Sequence, residues 1–96
     1  MATNICFTNV AVIGGQAFED AKAPNQNLTS SGTSQATTLT AGNNADVLVV
    51  ETDTTVWVAV GASPTASEGT DRLCQANSTR YFTGITEGDK VAVINA

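Results

Sequence analysis

Asp46-Val-Leu-Val-Val-Glu-Thr-Asp-Thr-Thr-Val-Trp-Val-Ala-Val-Gly61 is the stretch that decides the fold. Two β-branched runs flank a short polar segment, and such runs suit a pleated, half-buried surface. Their spacing predicts a β-hairpin turning at Asp53-Thr54-Thr55. On the first arm Val47 and Val49 point one way, and Leu48 and Val50 the other. On the second arm Val56, Val58 and Val60 share one face, and Trp57 and Ala59 the opposite one. A strand apolar on both faces belongs inside a sandwich or against a partner subunit. This hairpin is therefore the expected core.

Upstream, Ile5 to Ile13 reads as one strand, ended by Gly14-Gly15. Residues 16–32 are polar and read as a long loop, punctuated by Pro24 and closed by Ser30-Ser31-Gly32. A loop of that length in a small domain is often functional or ordered by a partner. Its one large apolar side chain, Phe18, is either a core anchor for the loop or an exposed contact residue. Thr33 to Leu39 reads as a weak edge strand, and Thr40 to Asn44 turns the chain toward the central stretch with Gly and Asn.

Downstream, 62–70 is a further loop containing Pro64 and Gly69. Arg72-Leu73-Cys74 is a short strand, and Asn77-Ser78 a turn before Arg80-Tyr81-Phe82. Tyr81 and Phe82 alternate faces, so one belongs to the core and the other stands half-exposed. Thr86-Glu87-Gly88-Asp89 places Gly third, as a type II turn requires. Lys90 to Ile94 then forms a strand apolar on both faces, suited to pair with the central hairpin. No window repeats apolar residues at the helical period, and the abundant Thr, Asn and Gly are poor helix formers. Six or seven short strands in 96 residues predict one all-β domain, a small antiparallel β-sandwich or jelly-roll-like barrel. Residues 1–4 are expected to form a short N-terminal arm.

Composition narrows the function. The net charge is −5 and only four residues are basic (Lys22, Arg72, Arg80, Lys90), so there is no patch to displace counterions from nucleic acid. No apolar run is long enough to span a bilayer as a helix. The start, Met-Ala-Thr-Asn, lacks the features of a signal peptide, so a complete, cytoplasmically made product is expected. In that setting Cys6 and Cys74 are expected as buried free thiols, and the sequons at Asn27 and Asn77 as chance matches. A chain of this size buries roughly two-thirds of its unfolded surface, so self-association would add useful burial.

Catalytic parts are scarce. Histidine, the commonest general base and metal ligand near neutral pH, is absent. The acid pairs Glu19/Asp20, Glu51/Asp53, Glu68/Asp71 and Glu87/Asp89 read as solvated turn residues. Calcium at Asn43, Asn44 and Asp46, or at Asp53, would be conceivable, but no loop has a calcium-binding spacing. The glycines form no phosphate-cradling motif. No catalytic residue, cofactor or metal is expected. Trp57 is expected between the sheets; on an exposed sheet face it would instead mark a subunit or partner contact.

The second half resembles small virion proteins of tailed bacteriophages. The likeness lies in Asp46 to Val50 with its Thr/Ala-rich approach, then Val56-Trp57-Val58-Ala59-Val60-Gly61-Ala62-Ser63-Pro64-Thr65-Ala66, Arg80-Tyr81-Phe82 and Gly88 to Ile94. It covers roughly residues 35–96. The resemblance implies a non-enzymatic capsid decoration (cement) protein. Such a protein would be a homo-oligomer, trimeric by preference, on the capsid surface of a virion, with the major capsid protein as partner. Multivalent weak contacts suit that role. Phe18, Trp57 and Tyr81 are the candidate contact residues. The alternative is a tail-fibre or spike module binding carbohydrate through Trp57 or Tyr81, which an aromatic exposed among Asn and Asp side chains would favour.

Overall fold

A computed structural model describes residues 2–8, 10–13, 16–19, 23–42, 47–67, 69 and 71–96; for 10–13 and 16–19 the description is of the backbone. Ten strands follow one another without a described helix: β1 Ala2–Thr8, β2 Val10–Ile13, β3 Gln16–Glu19, β4 Asn25–Thr29, β5 Gln35–Ala36, β6 Val47–Thr52, β7 Val56–Gly61, β8 Arg72–Cys74, β9 Ser78–Phe82 and β10 Lys90–Asn95. They build two four-stranded antiparallel sheets, β4-β1-β6-β9 and β5-β10-β7-β8, and a separate two-stranded ribbon, β2-β3. The protein is an all-β sandwich.

The two central runs are strands, as their composition demands, but they do not pair. β6 lies between β1 and β9 in the first sheet, while β7 lies between β10 and β8 in the second. The expected hairpin is an arch. A tight hairpin needs positive φ in its turn, and none occurs at Asp53-Thr54-Thr55. Instead Thr52 Oγ1 donates to Thr54 O (2.6 Å) and accepts from Thr54 N (3.2 Å), closing a side-chain turn that swings the chain to the other layer. The β8–β9 connection crosses back beside it, with Asn77 in the left-handed region (φ 59°) that Asn tolerates. The arches are bonded to each other by Asn77 N to Thr52 O (2.8 Å) and Ala76 N to Thr55 Oγ1 (3.1 Å).

The arches bring the inward faces together. Ile5, Phe7, Leu28, Leu48 and Val50 of the first sheet meet Val56, Val58, Cys74, Val91 and Val93 of the second, all buried. Leu39, Phe82 and Ile85 close the margins. At one end Thr3 and Thr52, opposite each other on β1 and β6, satisfy their buried hydroxyls mutually at 3.0 Å. Arg80 ties the outer strands of the two sheets together. Its Nη1 donates to Leu73 O at 2.7 Å, and the guanidinium lies 5.1 Å from the centre of the Phe82 ring.

Several sequence expectations change. The stretch Ile5 to Ile13 is divided between β1 and β2, which belong to different sheets. The N-terminal arm is part of a strand: β1 begins at Ala2 and is paired on both sides. Residues 16–32 hold β3 and β4 rather than one long loop. The β4 sequence Asn-Gln-Asn-Leu-Thr has weak strand propensity, yet it pairs with β1 through five residue pairs. The weak strand expected over 33–39 shrinks to β5, and it does lie at a sheet edge.

Other expectations hold. Gly88 has φ +89°, Asp89 N donates to Thr86 O (3.0 Å), and β10 follows and pairs with β7. The thiols of Cys6 and Cys74 are unbridged and Cys74 sits in the core as expected, but Cys6, also expected to be buried, alternates to the outward face of the first sheet and is only half-buried. Burial pushes the Cys74 thiol pKa up, with Arg80 acting in the opposite direction.

Candidate functional site

The sandwich presents two outward faces of different chemistry. On the second sheet, register places Trp57 between Leu73 and Ile94, and Ala59 beside Ala92, which is beside Ala36. Trp57 is therefore outside the core, against expectation, and half-buried. The alternation that aims Val56 and Val58 inward leaves it no other direction.

Residues 62–67 cross this face as a strap. β7 ends at Gly61, opposite Lys90, whereas Ala66 N bonds to Ser34 Oγ (2.9 Å) on the far side of β10. Extending the β5–β10 register puts Ser34 level with Ile94. The segment bends at Ala62 and Ser63 and passes from the end of β7 to the far side of β10, where β5 lies. Ala66 and Ala92 are accordingly buried, though neither belongs to the inter-sheet core. Trp57, Leu73 and Ile94 stay half-exposed.

The first sheet's outward face is polar at one end. Strand alternation brings Asn25, Asn27 and Thr29 of β4, Ala2 and Asn4 of β1, Glu51 of β6, and Thr79 and Tyr81 of β9 to the same side. Further along, Val49 is buried between its cross-strand partners Cys6 and Tyr81. Tyr81 itself is 57% exposed, the most exposed of the described large apolar side chains.

At the polar end lies a groove of about 380 Å³, lined chiefly by Asn4, Asn27, Glu51, Asp53, Asn77 and Thr79. The Asn4 and Asn27 amides are held in place. Asn4 Nδ2 donates to Asn25 Oδ1 (3.1 Å) and Asn27 Oδ1 (2.8 Å), a side-chain ladder across β1 and β4. Asp53 Oδ1 accepts from Ala2 N at 2.7 Å and from Thr54 Oγ1 at 3.1 Å. These donors, with Ala2 N–H foremost, hold its carboxyl pKa below the usual value against the opposing effect of desolvation. Among the described residues no group of three or more His, Cys, Asp and Glu side chains could hold a metal ion.

Of the three candidate contact residues, Trp57 and Tyr81 lie on opposite outward faces. Phe18 has its backbone in β3, paired with Ala11, and its side chain falls outside the described residues, as do Asn43, Asn44 and Asp46. Asn4 and Asn27 were not anticipated from sequence, because only the β1–β4 pairing brings them together. No protein-family model matches the chain, and no curated protein or solved structure matches it either.

Proposed function

We propose that this is a non-enzymatic virion structural protein that decorates and stabilises a phage capsid. The observation that carries the reading is the half-exposed apolar margin of the second sheet: Trp57, Leu73 and Ile94 around the strap. Aromatic and branched apolar side chains on an otherwise low-charge surface are the composition of an interface centre. Copies of this chain would associate through that margin as a closed ring, trimeric by preference, seated on the major capsid protein, leaving the Asn-rich face outward. A head-to-tail ring places the same small patch against the shell several times.

The test is absolute mass by light scattering behind a sizing column, followed by co-sedimentation with expanded, undecorated phage capsids. A trimer that co-sediments, and a Trp57→Ser variant that does not, would support the reading. A clean monomer that stays in the supernatant while the capsids pellet would sink it.

A further inference from the structure

We propose that the Asn-lined groove at the end of the first sheet is a binding site for a neutral glycan, with Tyr81 as the stacking platform beside it. The lining supplies what a sugar hydroxyl needs, which is a donor and an acceptor at each contact. Among the described residues Asn4 Oδ1 and Asn27 Nδ2 are left unengaged by the ladder that fixes their side chains, and Glu51 and then Thr79 continue the same row on the far side of Asn4. The groups come from four adjacent elements (β4, β1, β6 and β9) whose register is set by backbone pairing. A site held in this way loses little side-chain freedom on binding.

The same lining selects against other ligands. Among the described residues no Lys or Arg borders the groove, while Glu51 and Asp53 do, so phosphates, sulfated sugars and sialylated sugars meet two carboxylates, which the N-terminal ammonium acting on Asp53 offsets only in part. The polar walls are also unsuited to an apolar molecule, since their hydrogen-bonding groups would go unpaired. What remains is an uncharged polyol. Tyr81 completes the match. It follows Thr79 by two residues on the same face, about 7 Å along the strand, and its exposed ring can cover the apolar face of a pyranose.

This inference does not depend on the capsid reading. The groove and Trp57 lie on opposite outward faces, so either can fail alone. On a decorated particle the groove would be displayed in many copies, and repeated weak contacts of this kind multiply.

The experiment presents the intact protein to an array of neutral oligosaccharides (glucose, galactose, mannose and N-acetylglucosamine series) beside sialylated and sulfated counterparts. Variants Tyr81→Ala, Asn27→Ala and, as a control away from the groove and from Trp57, Gly42→Ala are run in parallel after their urea midpoints are checked. Retention on at least one neutral series is expected. Tyr81→Ala and Asn27→Ala each weaken it roughly tenfold, the scale of one lost stacking or polar contact, and Gly42→Ala leaves it unchanged. No retention on any neutral series overturns the proposal. So does retention that survives both Tyr81→Ala and Asn27→Ala, or a preference for the acidic glycans.

Discussion

Replacing Arg80 tests whether the sandwich is clasped at its margin. Arg80 starts on β9, at the edge of the first sheet, and its Nη1 reaches Leu73 O on β8, at the edge of the second, at 2.7 Å. A charge-assisted hydrogen bond to a partly buried carbonyl contributes about 1.5–3 kcal/mol. The guanidinium stands 5.1 Å from the Phe82 ring centre, worth about 0.5–1 kcal/mol at a partly exposed site. Solvent access to β9 argues for the low end of both figures, so Arg80→Ala should cost about 2 kcal/mol. For a domain of this length that lowers Tm by roughly 10 °C. Arg80→Lys keeps the charge but loses the planar fork, and should recover less than half of the deficit. Urea unfolding of the three proteins measures this directly, with the slope m unchanged and only the midpoint moving. A loss below about 0.5 kcal/mol for Arg80→Ala would refute the clasp, as would full recovery by lysine.

Two further outcomes follow from the turns. The Asp53 carboxyl titrates below its ordinary value in the folded chain, so its stabilising effect is present above the unfolded value of about 3.9. It is lost as pH falls through the folded value. The urea midpoint of the wild-type protein should therefore exceed that of Asp53→Asn at pH 7, and the difference should narrow progressively as the pH is taken below about 3.9. Gly88 holds φ +89° and its N–H donates to Ala41 O at 2.9 Å, so Gly88→Ala should cost about 1–2 kcal/mol through strain alone. Gly42, with no positive φ and open space where a Cβ would stand, is the silent control in the same thermal melt.

Strand identity was legible wherever β-branched residues ran together, as at Val47–Val50, Val56–Val60 and Val91–Ile94. The turn at 86–89 was legible because one glycine answers one backbone requirement. The pairing of β6 with β7 was misread because strand composition says nothing about which neighbour a strand takes. One signal was available: Asp53-Thr54-Thr55 lacks the Gly or Asn that a tight hairpin uses for positive φ. The strand at 25–29 was hidden for a different reason. Asn25, Gln26 and Asn27 have poor strand propensity; backbone pairing to β1, burial of Leu28 and the Asn4 ladder hold them in place. For Trp57, alternation already separated it from Val56 and Val58, but which of the two faces met the other sheet depended on the arch.

By itself the sequence determined the class of structure. Local φ preferences, β-branched runs and the absence of a helical period depend only on neighbours along the chain, and they suffice for an all-β domain with its turns. It also determined the low charge and the lack of histidine, which limit the chemistry. Only the tertiary structure decided which sheet each strand joins, that the strap roofs one outward face, and that Asn4, Asn27, Glu51 and Thr79 come to one groove with Tyr81 beside it. Those are contacts between residues far apart in sequence. They are set by which layers close best over a shared core, and that is a property of the whole chain.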